Sequence, residues 1–243
     1  MNKTGIKLII AMKKQILILC LMVIACGVGF AGDNDSLYLK KNAFEESVYF
    51  IQTSALQNTQ QQNNEILNCA ARQIAMRSSV VARYIITVDG KPPSGKRTSV
   101  DLNFNQNETI GLFDQLKIIE IKKKGSEIQA LVQYTGKKAP KNCDLTINTK
   151  IGKRGNPSWV DLIPTGSKFF ASVGFVDSSR LPDGGFTGSD SMAIGSLAEY
   201  LVKPVVSENT KTFETIISGA YIVRRWYNSE EKRYYSLAVI PRK

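Results

Sequence analysis

The chain has 243 residues, of which 43% are hydrophobic and 22% charged, and its formal net charge is +11. Those proportions exclude a disordered tail, a collagen and a multi-span membrane protein, and the length suits one large domain or two small ones. The absence of histidine excludes Ser-His-Asp and Cys-His nucleophile systems and every His-based metal site.

Residues 1–31 read as a signal peptide. Lys13 and Lys14 form a basic region ahead of the apolar run ILILCLMVIACGVGF, and GDNDS then turns polar. The run is shorter than the roughly 20 residues of a spanning helix. Met12 offers a second start. Two processing sites compete: Gly29-Phe30-Ala31 suits cleavage before Gly32, and Val23-Ile24-Ala25-Cys26 has the form of a lipobox, which makes Cys26 a lipidation candidate and the sole membrane contact expected. The expected location is the periplasm or outer membrane of a Gram-negative-type bacterium, out of reach of nucleic acid. The leader holds four lysines and no acid, so the remainder stays basic. Anionic partners in an envelope are phospholipid, lipopolysaccharide and peptidoglycan; plain solubility charge is the simpler account. Beyond the leader only Cys69 and Cys143 remain. Export makes them a disulfide candidate, with two buried free thiols as the alternative.

In chain order, residues 32–46 form a polar lead-in and SVYFIQTSA, from Ser47, reads as a strand. QNTQQQNN (57–64) lacks Gly and Pro and reads as a helix entry or a flexible, solvated amide-rich loop. EILNCAARQIAMRSSVVARYI (65–85) then predicts one amphipathic helix, with Ile66, Ala70 and Ile74 on its apolar face. DGKPPSGKR (89–97) is a loop. Residues 111–136 predict a hairpin turning at Lys123-Lys124-Gly125-Ser126, with Ile128, Ala130, Val132 and Tyr134 alternating on the return. The basic, turn-rich stretch 136–156 reads as a linker with a short strand at 144–149. Lys168–Phe175 predicts a strand and 178–190 a loop. SDSMAIGSLAEYLVKPVV (189–206) predicts a helix capped by Ser189 or Asp190 and ended by Pro204. A strand from Gly219, a turn at 228–232 and a return strand carrying Tyr235, Leu237 and Val239 close the chain.

Each half thus gives a strand, an alanine-bearing helix and a charged-tipped hairpin. The expected fold class is α+β, as two similar small modules over 32–150 and 151–243, with one continuous mixed sheet as the alternative.

Pro157, Trp159, Phe170, Ala171, Val173, Gly174, Ala193, Leu197, Ala198, Trp226, Tyr234, Tyr235, Leu237 and Ala238 carry a resemblance over residues 155–243. This half resembles the conserved twenty-kilodalton lipoprotein family of flagellated bacteria, which includes the flagellar outer-membrane-disc lipoproteins. The first half matches in element order only. The loop at 178–190 is longer and more glycine-rich than the family's, and the helix has fewer alanines. The resemblance implies a non-enzymatic envelope protein that assembles with other envelope proteins, with itself or with flagellar motor parts, and holds no cofactor. Trp159 after Pro157 is expected to cap an open end of the sheet. Gly174 is expected to allow a turn or a close helix, and Trp226 to stack with Arg224 or Arg225.

Asp183–Asp190 holds two carboxylates among glycines, but lacks the spacing of a calcium loop or a phosphate loop. No metal, cofactor or catalytic residue is therefore expected. Lys122, Lys123, Lys124, Arg224 and Arg225 are the candidates for an anionic envelope ligand such as peptidoglycan or lipopolysaccharide.

Overall fold

The computed structural model describes residues 36–40, 47–88, 96–136, 147–152, 155–178 and 185–242. The leader, Cys26, Cys143, the predicted strand start at 144–146 and Asp183 lie outside them. Residues 37–243 form one compact unit, distinct from residues 1–36.

The strands are β1 (Val48–Ser54), β2 (Val80–Val88), β3 (Lys96–Asn103), β4 (Leu116–Lys124), β5 (Glu127–Tyr134), β6 (Phe169–Asp177), β7 (Val205–Ser207), β8 (Thr210–Ile217), β9 (Tyr221–Asn228) and β10 (Arg233–Pro241). The helices are α1 (Thr59–Ser78), α2 (Asn107–Ile110), α3 (Ser158–Asp161), α4 (Gly185–Ser196) and α5 (Ala198–Leu201), with a 3-10 turn at Leu37–Leu39. The fold class is α+β. Two three-stranded sheets have the orders β1-β5-β4 and β6-β10-β9, and a four-stranded sheet has the order β3-β2-β8-β7. Every pairing is antiparallel.

In each three-stranded sheet the first strand of its half pairs with the last, and the last with the one before it. In the four-stranded sheet β2 and β3 come from the first half of the chain and β7 and β8 from the second. The two halves therefore share a sheet along β2–β8, where Val80 faces Ile217 and Tyr84 faces Phe213. The stretch expected to act as a linker is anchored where described: Ile147 packs into the core, Ile151 bridges to Pro157, and buried Asn156 accepts a hydrogen bond from Asn228 at 2.8 Å.

Several element boundaries differ from the sequence expectation. Of the two forms open to it, the amide-rich stretch takes the helix entry, because the Asn58 side chain accepts from Gln61 N at 3.0 Å and caps α1. That helix stops at Ser78 and does not continue to Ile85. Ser79 is extended, and the β-branched run that follows builds β2 with its small and apolar residues alternately buried. Lys96 and Arg97 open a strand rather than close a loop. The strand expected from Gly219 is β9, and the apolar run before it is a further strand, β8, set off at Gly219, whose φ of +80° suits glycine. Finally, α4 starts at Gly185, so Ser189 and Asp190 lie inside the helix instead of capping it. It ends at Ser196, well before Pro204.

The α1 face of Ile66, Ala70 and Ile74 packs on Tyr49, Ile51, Ile128, Ala130 and Val132. Between the sheet containing β6 and the four-stranded sheet lies α4, where Ala193, Ile194 and Leu197 meet Val80, Tyr84, Phe213, Ala238 and Ile240. Two glycines make that sandwich close-fitting. A Cβ on Gly174 would overlap Ala193 N and Ser189 O of α4, and one on Gly195 would overlap the Val100 side chain of β3. Gly174→Ala is expected to destabilise by about 1–3 kcal/mol, because the obstructing atoms are helix backbone and cannot swing away. A shift in the urea midpoint measures it.

Candidate functional site

Arg224 and Arg225 are neighbours on β9, and their side chains take opposite faces of its sheet. Arg225 pairs with Ser236, on the face that α4 covers. It is buried, and its Nε and Nη2 reach Asp190 at 2.9–3.2 Å. Asp190 also accepts from Ser236 Oγ at 2.5 Å, and Ser236 Oγ lies 2.8 Å from Ser189 Oγ. Asp190 thus does not serve as a helix cap. It holds the charge of an arginine inside the protein, as a buried guanidinium requires. Arg225 does not stack on Trp226. Its guanidinium lies over the Phe50 ring, 5.0 Å from the centroid. Its engagement with Asp190 withdraws it from the anion-binding group expected from sequence.

A reciprocal contact lies nearby. Arg77, at the end of α1, sits 4.5 Å over the ring of Tyr221 on β9. An arginine from each half of the chain therefore rests on an aromatic ring of the other half. Both arginines line a cleft of about 80 Å³ between β1, α1, α4 and β9, together with Gln73, Asp190 and Ser191. Sequence reasoning missed this seam. The available signal was Arg77 itself, which continues the apolar row of Ile66, Ala70 and Ile74 where a solvated residue would not fit.

On the opposite face, Arg224 pairs with Leu237, in the core that Trp159 covers. Trp159 does not cap a sheet end. It is buried on the sheet's face against Ala171, Tyr221, Val223, Tyr235, Leu237 and Val239, delivered there by the short α3 after Pro157. Beside it lies a pocket of about 420 Å³, lined by Leu39, Thr149, Ile151, Pro157, Trp159, Arg224, Arg225 and Trp226. The structure thus brings Pro157, Trp159, Arg224 and Trp226 together, residues singled out separately in the sequence. Arg224 is half-buried, and burial pulls its guanidinium below the usual value. Its Nη1 donates to the Val223 carbonyl. The Trp226 Nε1 is buried without a hydrogen-bond partner.

Lys122, Lys123 and Lys124 end β4, in the other three-stranded sheet from Arg224. Lys123 and Lys124 are exposed beside the Gly125-Ser126 turn. Gly174 faces α4, not this pocket. Cys69 is a free thiol on α1, with Sγ 3.4 Å from Glu65 Oε1. Burial, and then the Glu65 carboxylate, push the thiol up to about 12. Iodoacetamide at pH 8 is expected to modify Cys69 far more slowly in the folded protein than after denaturation, as read by peptide mass mapping. Among the described residues no group of three His, Cys, Asp or Glu side chains could hold a metal ion, and no helix is long and apolar enough to cross a membrane.

No family model matches the chain, and no curated protein or solved structure matches it either.

Proposed function

We propose that this chain is an exported envelope protein of the periplasm or outer membrane that acts by assembly, not by catalysis. The observation that carries the reading is the outer face of the four-stranded sheet. Its inner face packs on α4, while Val81 and Ile216, directly opposed in the β2–β8 register, stay 41% and 65% exposed. Val205 on the neighbouring edge strand, opposite Thr212 and so on the same face, is 74% exposed. Apolar side chains grouped on one sheet face mark interaction surfaces more often than isolated ones do. The leader supplies export by either of its two competing routes: cleavage before Gly32, which removes Cys26, or processing at Cys26, which leaves it as a lipid anchor. The lipoprotein-like half supplies the flagellar expectation, and the equal strand orders of the two small sheets support a duplicated module. Partners are other envelope proteins, a second copy or motor parts. A deletion strain tests the flagellar form: loss of swimming together with a missing periplasmic or outer-membrane motor density supports it, and a motile strain with an unaltered motor removes it.

A second reading is a binding module for an anionic envelope ligand. It is favoured by the exposed lysines at the tip of β4 and by Arg224 in its pocket. Salt-sensitive retention on purified cell wall, reduced by Lys122→Gln, Lys123→Gln and Lys124→Gln together, tests it.

A further inference from the structure

We propose that the outer face of the four-stranded sheet seats a second copy of this chain, the two copies being related by a half-turn about the β2–β8 seam. This inference rests on the assembly reading above and names its partner.

The strand registers set the side chains of that face in rows, because directly opposed residues of antiparallel neighbours share a face. In one row Asp101 of β3 opposes Arg83 of β2, and Arg83 opposes Glu214 of β8. All three are exposed, and Arg83 and Glu214 form an ion pair at 3.7 Å. Exposed Lys203 extends the row. Val202 before it is extended and packs inward on the core, while Val205 faces outward, so alternation turns Lys203 outward as well. Val205 opposes Thr212, and two residues further the same antiparallel register carries Lys203 alongside Glu214. From β3 to β7 the row therefore runs acid, base, acid, base.

A half-turn about an axis along the β2–β8 seam lays the strands of a second copy over these in reverse order, β7 on β3 and β8 on β2. The reversed row runs base, acid, base, acid. Asp101 then faces the second copy's Lys203, and Arg83 faces its Glu214. The Arg83–Glu214 pair within each chain does not have to open. Two such pairs laid head to tail give each charge an opposite beside it and another across from it. The same rotation sets Val81 on the second copy's Ile216 and Ile216 on its Val81. Beyond the charged row it sets Val205 and Ile85 against Ser99 and Thr212. A face that complements itself under a half-turn meets the requirement of an isologous dimer. A lipid surface fits less well, since hydrocarbon would leave the row of charges unpaired. Four strands of about eight residues give roughly 500 Å² per copy, so the two together reach the lower bound of about 1,000 Å² for a specific contact. The dimer therefore belongs at the weak end of specific contacts, and its population is expected to follow concentration.

Light scattering of the full chain over a series up to about 100 µM reads this, a range that covers a micromolar Kd. The expected result is a mass that rises from one chain to two. Arg83→Glu sets an acid against the second copy's Glu214, and Glu214→Arg sets a base against its Arg83. Each alone is expected to weaken association about tenfold or more through like-charge contacts. Mixed in equal amounts, the two variants set the acids of one chain against the bases of the other and are expected to pair again, a rescue that no effect within one chain can produce. Both side chains are more than half exposed, so far-UV circular dichroism is expected to stay unchanged. Should either variant fail to fold, Asp101→Lys mixed with Lys203→Asp makes the same exchange at the ends of the row. A parent that stays monomeric overturns the second copy, as do a dimer indifferent to both variants and variants that do not pair on mixing. A monomeric parent that still crosslinks in cells, from a photoreactive group at Ile216, to a different envelope protein leaves the assembly reading standing. A monomeric parent with no such crosslink removes both.

Discussion

Phe186→Ala is expected to cost about 3–5 kcal/mol of stability, the range for emptying a buried aromatic site. Phe186 is 2% exposed. Its ring centroid lies 4.7 Å from Tyr38, 5.7 Å from Phe50 and 4.9 Å from Tyr234, with edge-on or tilted geometry in each case. Leu37, Val48 and Leu131 belong to the same cluster. Tyr38, Val48, Phe50 and Leu131 come from the first half of the chain, and Phe186 and Tyr234 from the second, so one side chain joins both. Its backbone N–H also donates to Gln52 Oε1 at 3.4 Å. Domains of this kind have a total stability of about 5–15 kcal/mol, so the variant is expected to be marginal at 37 °C. Urea unfolding checks this, with a lower midpoint and an unchanged slope as the expected result. Two separate transitions, in the parent or the variant, would contradict a single cooperative body over 37–243.

The second large effect concerns the Asp190–Arg225 pair. Arg225→Ala leaves the Asp190 carboxylate buried beside Ser189 and Ser236 with no cation, and is expected to cost about 3–5 kcal/mol. Asp190→Ala strands the guanidinium instead and is expected to cost a similar amount. Removing both charges with Asp190→Asn and Arg225→Met together is expected to be milder than either alanine change, because no uncompensated charge remains. A double-mutant cycle in urea measures the coupling. Additive losses would show that the pair does not act as a unit. Loss of Arg225 also takes its guanidinium from over Phe50, so the seam loosens where the two halves meet.

The sequence announced some of this and concealed the rest for identifiable reasons. Alternation in Ile128, Ala130 and Val132, and again in Tyr235, Leu237 and Val239, marked β5 and β10 although both strands are buried on both faces there, because polar Gln129 and Ser236 interrupt the apolar run and leave the period of 2 visible. The face of Ile66, Ala70 and Ile74 marked α1 because one side of that helix is solvated. By contrast, α4 is covered from both sides, so it has no polar stripe to set its register. Its glycine-rich start looked like a turn, although Gly185 and Gly195 are small to admit Tyr234 and Val100. The end of α1 was overrun because Ala82, Arg83 and Tyr84 suit either state locally. Pairing of β2 with both β3 and β8 decides it, and such long-range pairing leaves no local trace. Pro157, Trp159, Arg224 and Trp226 stood out in the sequence, but their convergence on one pocket depends on the fold. Arg224 and Arg225 looked like one basic patch. The pleat of β9 sends one to a buried carboxylate and the other to a tryptophan-lined pocket.

The central claim is assembly through the open face of the four-stranded sheet. The most direct measurement places a photoreactive amino acid at Ile216 in the native chain, irradiates intact cells and reads the adducts by mass spectrometry, with Glu230 on the β9–β10 turn as the control position. The account predicts a discrete adduct with an envelope protein or a second copy from Ile216, absent from the control and abolished by Val81→Glu. No adduct from Ile216, or the same adducts from both positions, would contradict it.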